Sequence, residues 1–138
     1  MLVVDASFVA AAFAEETHTD FARDILDDHS DQLLLSPALI RWELASVFWK
    51  KLRKAEIGED VLPDLAAYLD ALRLEHPDSP DGPELGALVL TARAAGLSAY
   101  DAAYFALALE QAAPLATVDK NLTRAAIAAG LPVRSPFT

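Results

Sequence analysis

The 138-residue sequence contains no cysteine, which excludes a disulfide framework and any thiolate-held zinc site and fits a reducing compartment. Its three histidines, His18, His29 and His76, are scattered and make no HExxH spacing. No uncharged apolar stretch is long enough to cross a bilayer. The first residues lack the basic segment, apolar run and cleavage site of a secretory leader, so a soluble, cytoplasmic protein with no membrane partner is expected. Internal repeats and low-complexity tracts are missing as well. Bases are scarce: 11 stand against 21 acids, a net charge of -10, which by itself argues against a nucleic-acid ligand because phosphates are repelled at long range.

What is present is apolar and alternating. A hydrophobic content of 54% over this length suits one compact domain spanning residues 1–138. "MLVV", "QLLLS", "PLATVD" and "LPVRS" read as short buried strands. Between them lie the helical stretches "SFVAAAFA", "THTDFARDILDDH", "PALIRWELASVFWKKLRK", "GEDVLPDLAAYLDALRLE", "PELGALVLTARAAG", "LSAYDAAYFALALEQA" and "KNLTRAAIAAG", with "HPDSPDGP" a loop. Pro37 falls where a first helical turn tolerates it, and Gly96 and Gly130 sit where helices end. Short apolar strands separated by helices imply crossover connections, hence an α/β domain of three α/β/α layers around a short-stranded central parallel sheet.

Four acids stand out by position. Asp5 ends the first strand and Asp119 follows "PLATV", so both fall at carboxyl edges, where open α/β sheets place their ligands. Taken singly, each reads better as a helix N-cap or turn residue. Glu43 interrupts a helix stripe formed by Leu39, Ile40, Ser46 and Val47 and needs a partner, either Arg41, solvent or a ligand. Asp101 stands three residues after Ser98, a capping-box spacing, over Leu97, Tyr104 and Phe105, at a helix N-terminus that favours its ionised form. Four carboxylates on strand ends and apolar helix faces repel one another unless a cation holds them. Oxygen ligands without Cys or His select Mg²⁺ or Mn²⁺, and such a centre activates water against a phosphodiester. Thr117 and Ser7 are candidate supporting hydroxyls, or small packing residues. The basic stripe Arg41, Lys50, Lys51, Arg53 and Lys54, opposed by Glu43 alone, is either a cationic helix C-terminus or a phosphate contact. The same helix carries Trp42, Val47, Phe48 and Trp49, more apolar surface than one core contact buries, so it is expected to present an interface to a partner.

"LVVDAS", "SPALIRWELASVFWK" and "LSAYDAAYFALALEQAAPLATVDKNL" together resemble a PIN-domain protein of the VapC toxin type, over nearly the whole chain. The resemblance implies a magnesium-dependent endoribonuclease, the toxin of a toxin–antitoxin pair, inhibited by a VapB-like antitoxin and commonly homodimeric. It makes Asp5, Glu43, Asp101 and Asp119 the metal-binding and catalytic quartet, with Thr117 in support. The acidic stretch from Glu15 to Asp31 departs from an RNA-binding surface, which leaves Arg41, Lys50, Lys51, Arg53, Lys54, Lys120 and Arg124 as the RNA path. Two other readings stay open. One is a phosphatase or phospho-acceptor domain using Asp5 as nucleophile, although "DAS" lacks the second Asp two residues on. The other is a non-catalytic PIN-like interaction module.

Overall fold

The computed structural model describes residues 1–77 and 80–138. Among these, four short strands, β1 (Leu2–Val4), β2 (Leu34–Leu35), β3 (Leu115–Ala116) and β4 (Val133–Arg134), make one sheet. Seven helices flank it: α1 (Ala6–Phe13), α2 (Thr19–Asp28), α3 (Ile40–Arg53), α4 (Val61–Leu72), α5 (Gly82–Ala95), α6 (Ala99–Gln111) and α7 (Lys120–Ala128). The strand order is β2-β1-β3-β4 and every pairing is parallel, with Leu2 opposite Leu34, Val3 opposite Leu115, and Leu115 opposite Val133. This is the three-layer α/β/α arrangement that the alternation of strands and helices calls for.

Burial explains the order. Leu2, Val3 and Val4 are fully buried, as an apolar strand covered on both faces must be, and β1 accordingly lies inside the sheet. Phe8, Val9, Ile40, Phe48, Tyr104 and Leu122 pack around it, each contributing on the order of 1.5–3 kcal/mol by leaving water. The edge of β2 is covered by residues 74–76. Glu75 N–H donates to the Leu34 carbonyl at 3.0 Å and the Glu75 carbonyl accepts from Ser36 N–H at 3.1 Å, so that edge offers no free ladder.

Several boundaries differ from the sequence reading. Within "PLATVD" the strand is limited to Leu115–Ala116, so Thr117 and Asp119 lie beyond it. Pro37 precedes the helix that it was expected to open: its carbonyl accepts from Ile40 N–H at 3.1 Å, and α3 starts at Ile40. Of the loop "HPDSPDGP", residues 78 and 79 lie outside the described residues, while Gly82 and Pro83 begin α5, because Asp81 caps it by accepting from Glu84 N–H at 2.9 Å. Gly96 does end α5, at φ +67°, where its N–H reaches back to the carbonyls of Ala92 and Arg93. That left-handed turn favours glycine and hands the chain directly to the N-cap of α6.

The topology fixes where a site belongs. The chain leaves β1 toward β2 on one side and leaves β3 toward β4 on the other, so connections diverge between β1 and β3. Their carboxyl ends flank the switch point, the crevice in which open parallel sheets bind ligands.

Candidate active site

Asp5 immediately follows β1 and is the N-cap of α1, its Oδ1 accepting from Phe8 N–H at 2.9 Å. Asp119 is the N-cap of α7 and accepts from Leu122 N–H at 2.7 Å. The modest reading of each residue therefore holds, and both caps lie at the switch point. Two hydroxyls bind them together. Thr117 donates to Asp5 Oδ2 at 2.7 Å and accepts from Asp119 N–H at 3.0 Å. Ser7 lies 2.8 Å from Asp5 Oδ1 as a donor and accepts from Val118 N–H at 3.2 Å. Ser7 is thus no mere packing residue; with Thr117 it ties the ends of β1 and β3 to one carboxylate.

Asp5 is only 4% exposed. Burial pushes its carboxyl up to about 7, opposed by the Thr117, Phe8 and Ser7 hydrogen bonds and aided by the charge of Asp119. Three donors do not offset desolvation, because none carries a positive charge.

Glu43, on α3, is half-buried, and its partner is the Tyr104 hydroxyl of α6, which donates to Oε1 at 2.5 Å. Arg41 is not that partner: its Nε instead donates to His76 Nε2 at 3.3 Å, while His76 Nδ1 faces the Ser36 carbonyl at 2.9 Å. Burial raises the Glu43 carboxyl, the Tyr104 bond lowers it, and Asp101 raises it. Asp101 follows the Ser98 cap, whose hydroxyl accepts from Asp101 N–H at 3.1 Å. The helix N-terminus does not keep its carboxyl low. Burial and the charge of Asp119 raise it despite the Ser98 hydroxyl, since taking a carboxylate out of water disfavours its charged form.

The four acids form a chain of like charges: Asp119 acts on Asp5 and on Asp101, and Asp101 acts on Glu43. The ion pairs among the described residues, Arg23 with Glu15 and Lys51 with Glu16 and Glu56, include none of them. Among the described residues no three acidic or histidine side chains close on a common point at ligating distance. The donor set nevertheless fits a hard divalent cation, because Mg²⁺ keeps several waters and uses one or two carboxylates with substrate phosphates rather than a closed cage.

Tyr104 is the residue that sequence reasoning passed over as mere packing beneath Asp101. It is 1% exposed, and burial, together with Glu43, Asp5 and Asp101, holds its hydroxyl protonated. A tyrosine one helical turn from an acid is an ordinary core pattern, and nothing local marks its reach across to α3.

The cations of the expected RNA path are variously engaged. Lys51 pairs with Glu16 at 2.8 Å. Arg53 lies over the Trp49 ring at 5.9 Å. Arg124 donates to the Ala95 carbonyl at 3.1 Å and to Asn121 Oδ1 at 2.9 Å. Lys50, Lys54 and Lys120 are exposed. On α3, Trp42 and Trp49 project outward, 69% and 57% exposed, whereas Phe48 is core and meets Phe13 edge-on at 5.6 Å. The apolar surplus of α3 is therefore carried by its two tryptophans.

A PIN domain family model matches residues 2–128. Ribonuclease VapC3 of Pyrobaculum aerophilum is 32% identical over 125 residues, which cover 88% of this chain and 91% of that protein. Among solved structures, VapC20 of Mycobacterium tuberculosis, described as a sarcin-ricin loop cleaving toxin, aligns over 95% of this chain and 96% of its own, with a TM-score of 0.66 and 20% identity. FitAcB from Neisseria gonorrhoeae aligns over 99% of both chains with a TM-score of 0.56, again at 20% identity. At such identities the two structures speak for the shared fold.

Proposed function

The chain belongs to the PIN-domain family, VapC type, and on that premise we propose that it is a Mg²⁺- or Mn²⁺-dependent endoribonuclease, the toxin of a toxin–antitoxin pair, formed by one domain over residues 1–138. The observation that carries this reading is Asp5, a buried carboxylate at the switch point that feels the charge of Asp119 and has no cationic partner among the described residues. Of Asp5, Glu43, Asp101 and Asp119, one or two would ligate the cation directly and the others would act through its waters. When bound, the ion lowers the pKa of water and offsets charge developing on a scissile phosphodiester.

The chain's own contribution is positioning. Ser7, Thr117 and the Phe8 N–H fix both oxygens of Asp5, so its rotamer is set before any ligand arrives. Tyr104 does the same for Glu43, and Leu122 N–H for Asp119. Supports of this kind orient ligating oxygens and are commonly worth a factor of about 10–100 in metal affinity or activity. Purified protein is expected to cut RNA in Mg²⁺ or Mn²⁺ and to leave an aryl phosphate untouched. Undiminished RNA cleavage in EDTA would remove the metal mechanism, and metal-independent release of phosphate from the aryl ester would favour the phosphatase reading.

The outward tryptophans of α3 support a partner surface, for a VapB-like antitoxin or a second copy of the chain. Light scattering of the pure protein and of its mixture with the neighbouring gene's product is expected to show a dimer or a complex. A monomer in both samples would sink that assignment.

A further inference from the structure

A second concavity lies one residue beyond the acids. Its volume is about 400 Å³, and Lys120, Thr123, Arg124, Ile127, Ala128 and Phe137 line it. It runs along α7 from the end that Asp119 caps, and no acid contributes to its lining, in a chain whose net charge is -10. Its parts are an aromatic face and two cations. The Phe137 ring is 36% exposed, the Lys120 ammonium stands 5.3 Å from its centroid, and the His18 ring meets it edge-on at 5.3 Å. Arg124 is held rigid by the Ala95 carbonyl and Asn121.

We propose that this concavity is a nucleotide subsite for single-stranded RNA, in which Phe137 stacks a base beside the scissile phosphate and Lys120 takes a backbone phosphate. The inference rests on the ribonuclease reading above and adds the residues that position its substrate. Three features select this occupant. Stacking on an exposed ring with a neighbouring cation is the usual chemistry of single-stranded nucleic-acid binding, and it tolerates any base. Lys120 directly follows Asp119, the N-cap of α7, so the concavity begins at the end of α7 that carries one acid of the site. The lysine ammonium, resting over the ring, has a phosphate to move to when a base takes its place.

The test uses the full chain and a short single-stranded oligoribonucleotide carrying 2-aminopurine, titrated in EDTA so that cleavage is off, with melting curves as folding controls. Phe137→Leu, which keeps apolar bulk but cannot stack, is expected to weaken binding about 10-fold and to abolish the fluorescence quench of the stacked base. Phe137→Trp restores both. Lys120→Gln weakens binding and makes the log–log salt slope shallower by about 1. In Mg²⁺ the Phe137→Leu defect falls mainly on KM. Wild-type affinity and quench in folded Phe137→Leu overturn the subsite while leaving the nuclease intact. The subsite is likewise overturned if that variant loses only its binding to an antitoxin, since the concavity then serves a protein. A wild type that neither binds nor cuts RNA removes both readings together.

Discussion

Asp5→Asn is expected to abolish RNA cleavage and, at the same time, to make the metal-free protein more stable above neutral pH. Below about pH 4 the Asp5 carboxyl is protonated in the folded and unfolded chain alike, and it costs the fold nothing. As pH rises from about 4 toward 7 the unfolded chain ionises first, because burial holds the folded carboxyl near 7 against an ordinary 3.8. Stability therefore falls through that window and levels off above it. A gap of that size corresponds to a loss of at most about 4 kcal/mol. Asparagine keeps an oxygen to accept from Phe8 N–H, so the cap of α1 survives, and it carries no charge to desolvate. The difference in melting temperature between variant and wild type should thus grow from pH 4 to 7 in EDTA, and only the wild type should gain the full Mg²⁺ shift. A variant that melts lower at every pH, keeps cleaving, and responds to Mg²⁺ like wild type would reduce Asp5 to a cap.

Tyr104→Phe carries the second large effect, and its sign on stability is opposite. The hydroxyl is the one protein donor to Glu43 among the described residues, and the ring is core. Phenylalanine fills the same volume but leaves a half-buried carboxylate without that bond. A hydrogen bond to a charged group is worth about 1.5–3 kcal/mol when buried; solvent reaching Glu43 reduces the loss to about 1 kcal/mol. With Glu43 free to rotate, metal affinity and cleavage are expected to fall about 10-fold. Metal titration followed by melting, together with cleavage rates at saturating Mg²⁺, checks both. Unchanged metal affinity with the expected loss of stability would make Tyr104 a purely structural partner.

Both experiments turn on how far local sequence speaks for distant structure. The caps could be read from neighbours within three residues, which is why Asp5, Ser98 and Asp119 sit at helix starts as their flanking residues imply. The parallel sheet followed from the spacing of apolar runs. Strand order did not, because nothing in "LVV" or "LLLS" states which runs become neighbours, and β1 pairs with residues 34–35 and 115–116 alike. The Tyr104–Glu43 bond joins residues 61 positions apart on two helices, and each looks like a packing residue or a solvated acid by itself. Arg41 was the obvious partner for Glu43 by sequence proximity. On a helix, however, residues two apart point to different sides, and Arg41 turns to His76. Lys51 and Arg124 likewise read as free cations until the fold supplies Glu16 and the Ala95 carbonyl.

The hydrogen bond from Thr117 to Asp5 closes a loop of 112 residues, and that span sets a timetable for synthesis. Asp5 leaves the ribosome well before its partners Asp101, Thr117 and Asp119, by roughly 5–20 s at a synthesis rate of about 5–20 residues per second. Until β3 emerges and inserts beside β1, the nascent chain has no switch point, no Thr117 hydroxyl on Asp5 and at most three of its four acids. A nuclease built this way is assembled only after the stretch of message that encodes both β1 and β3 has been read.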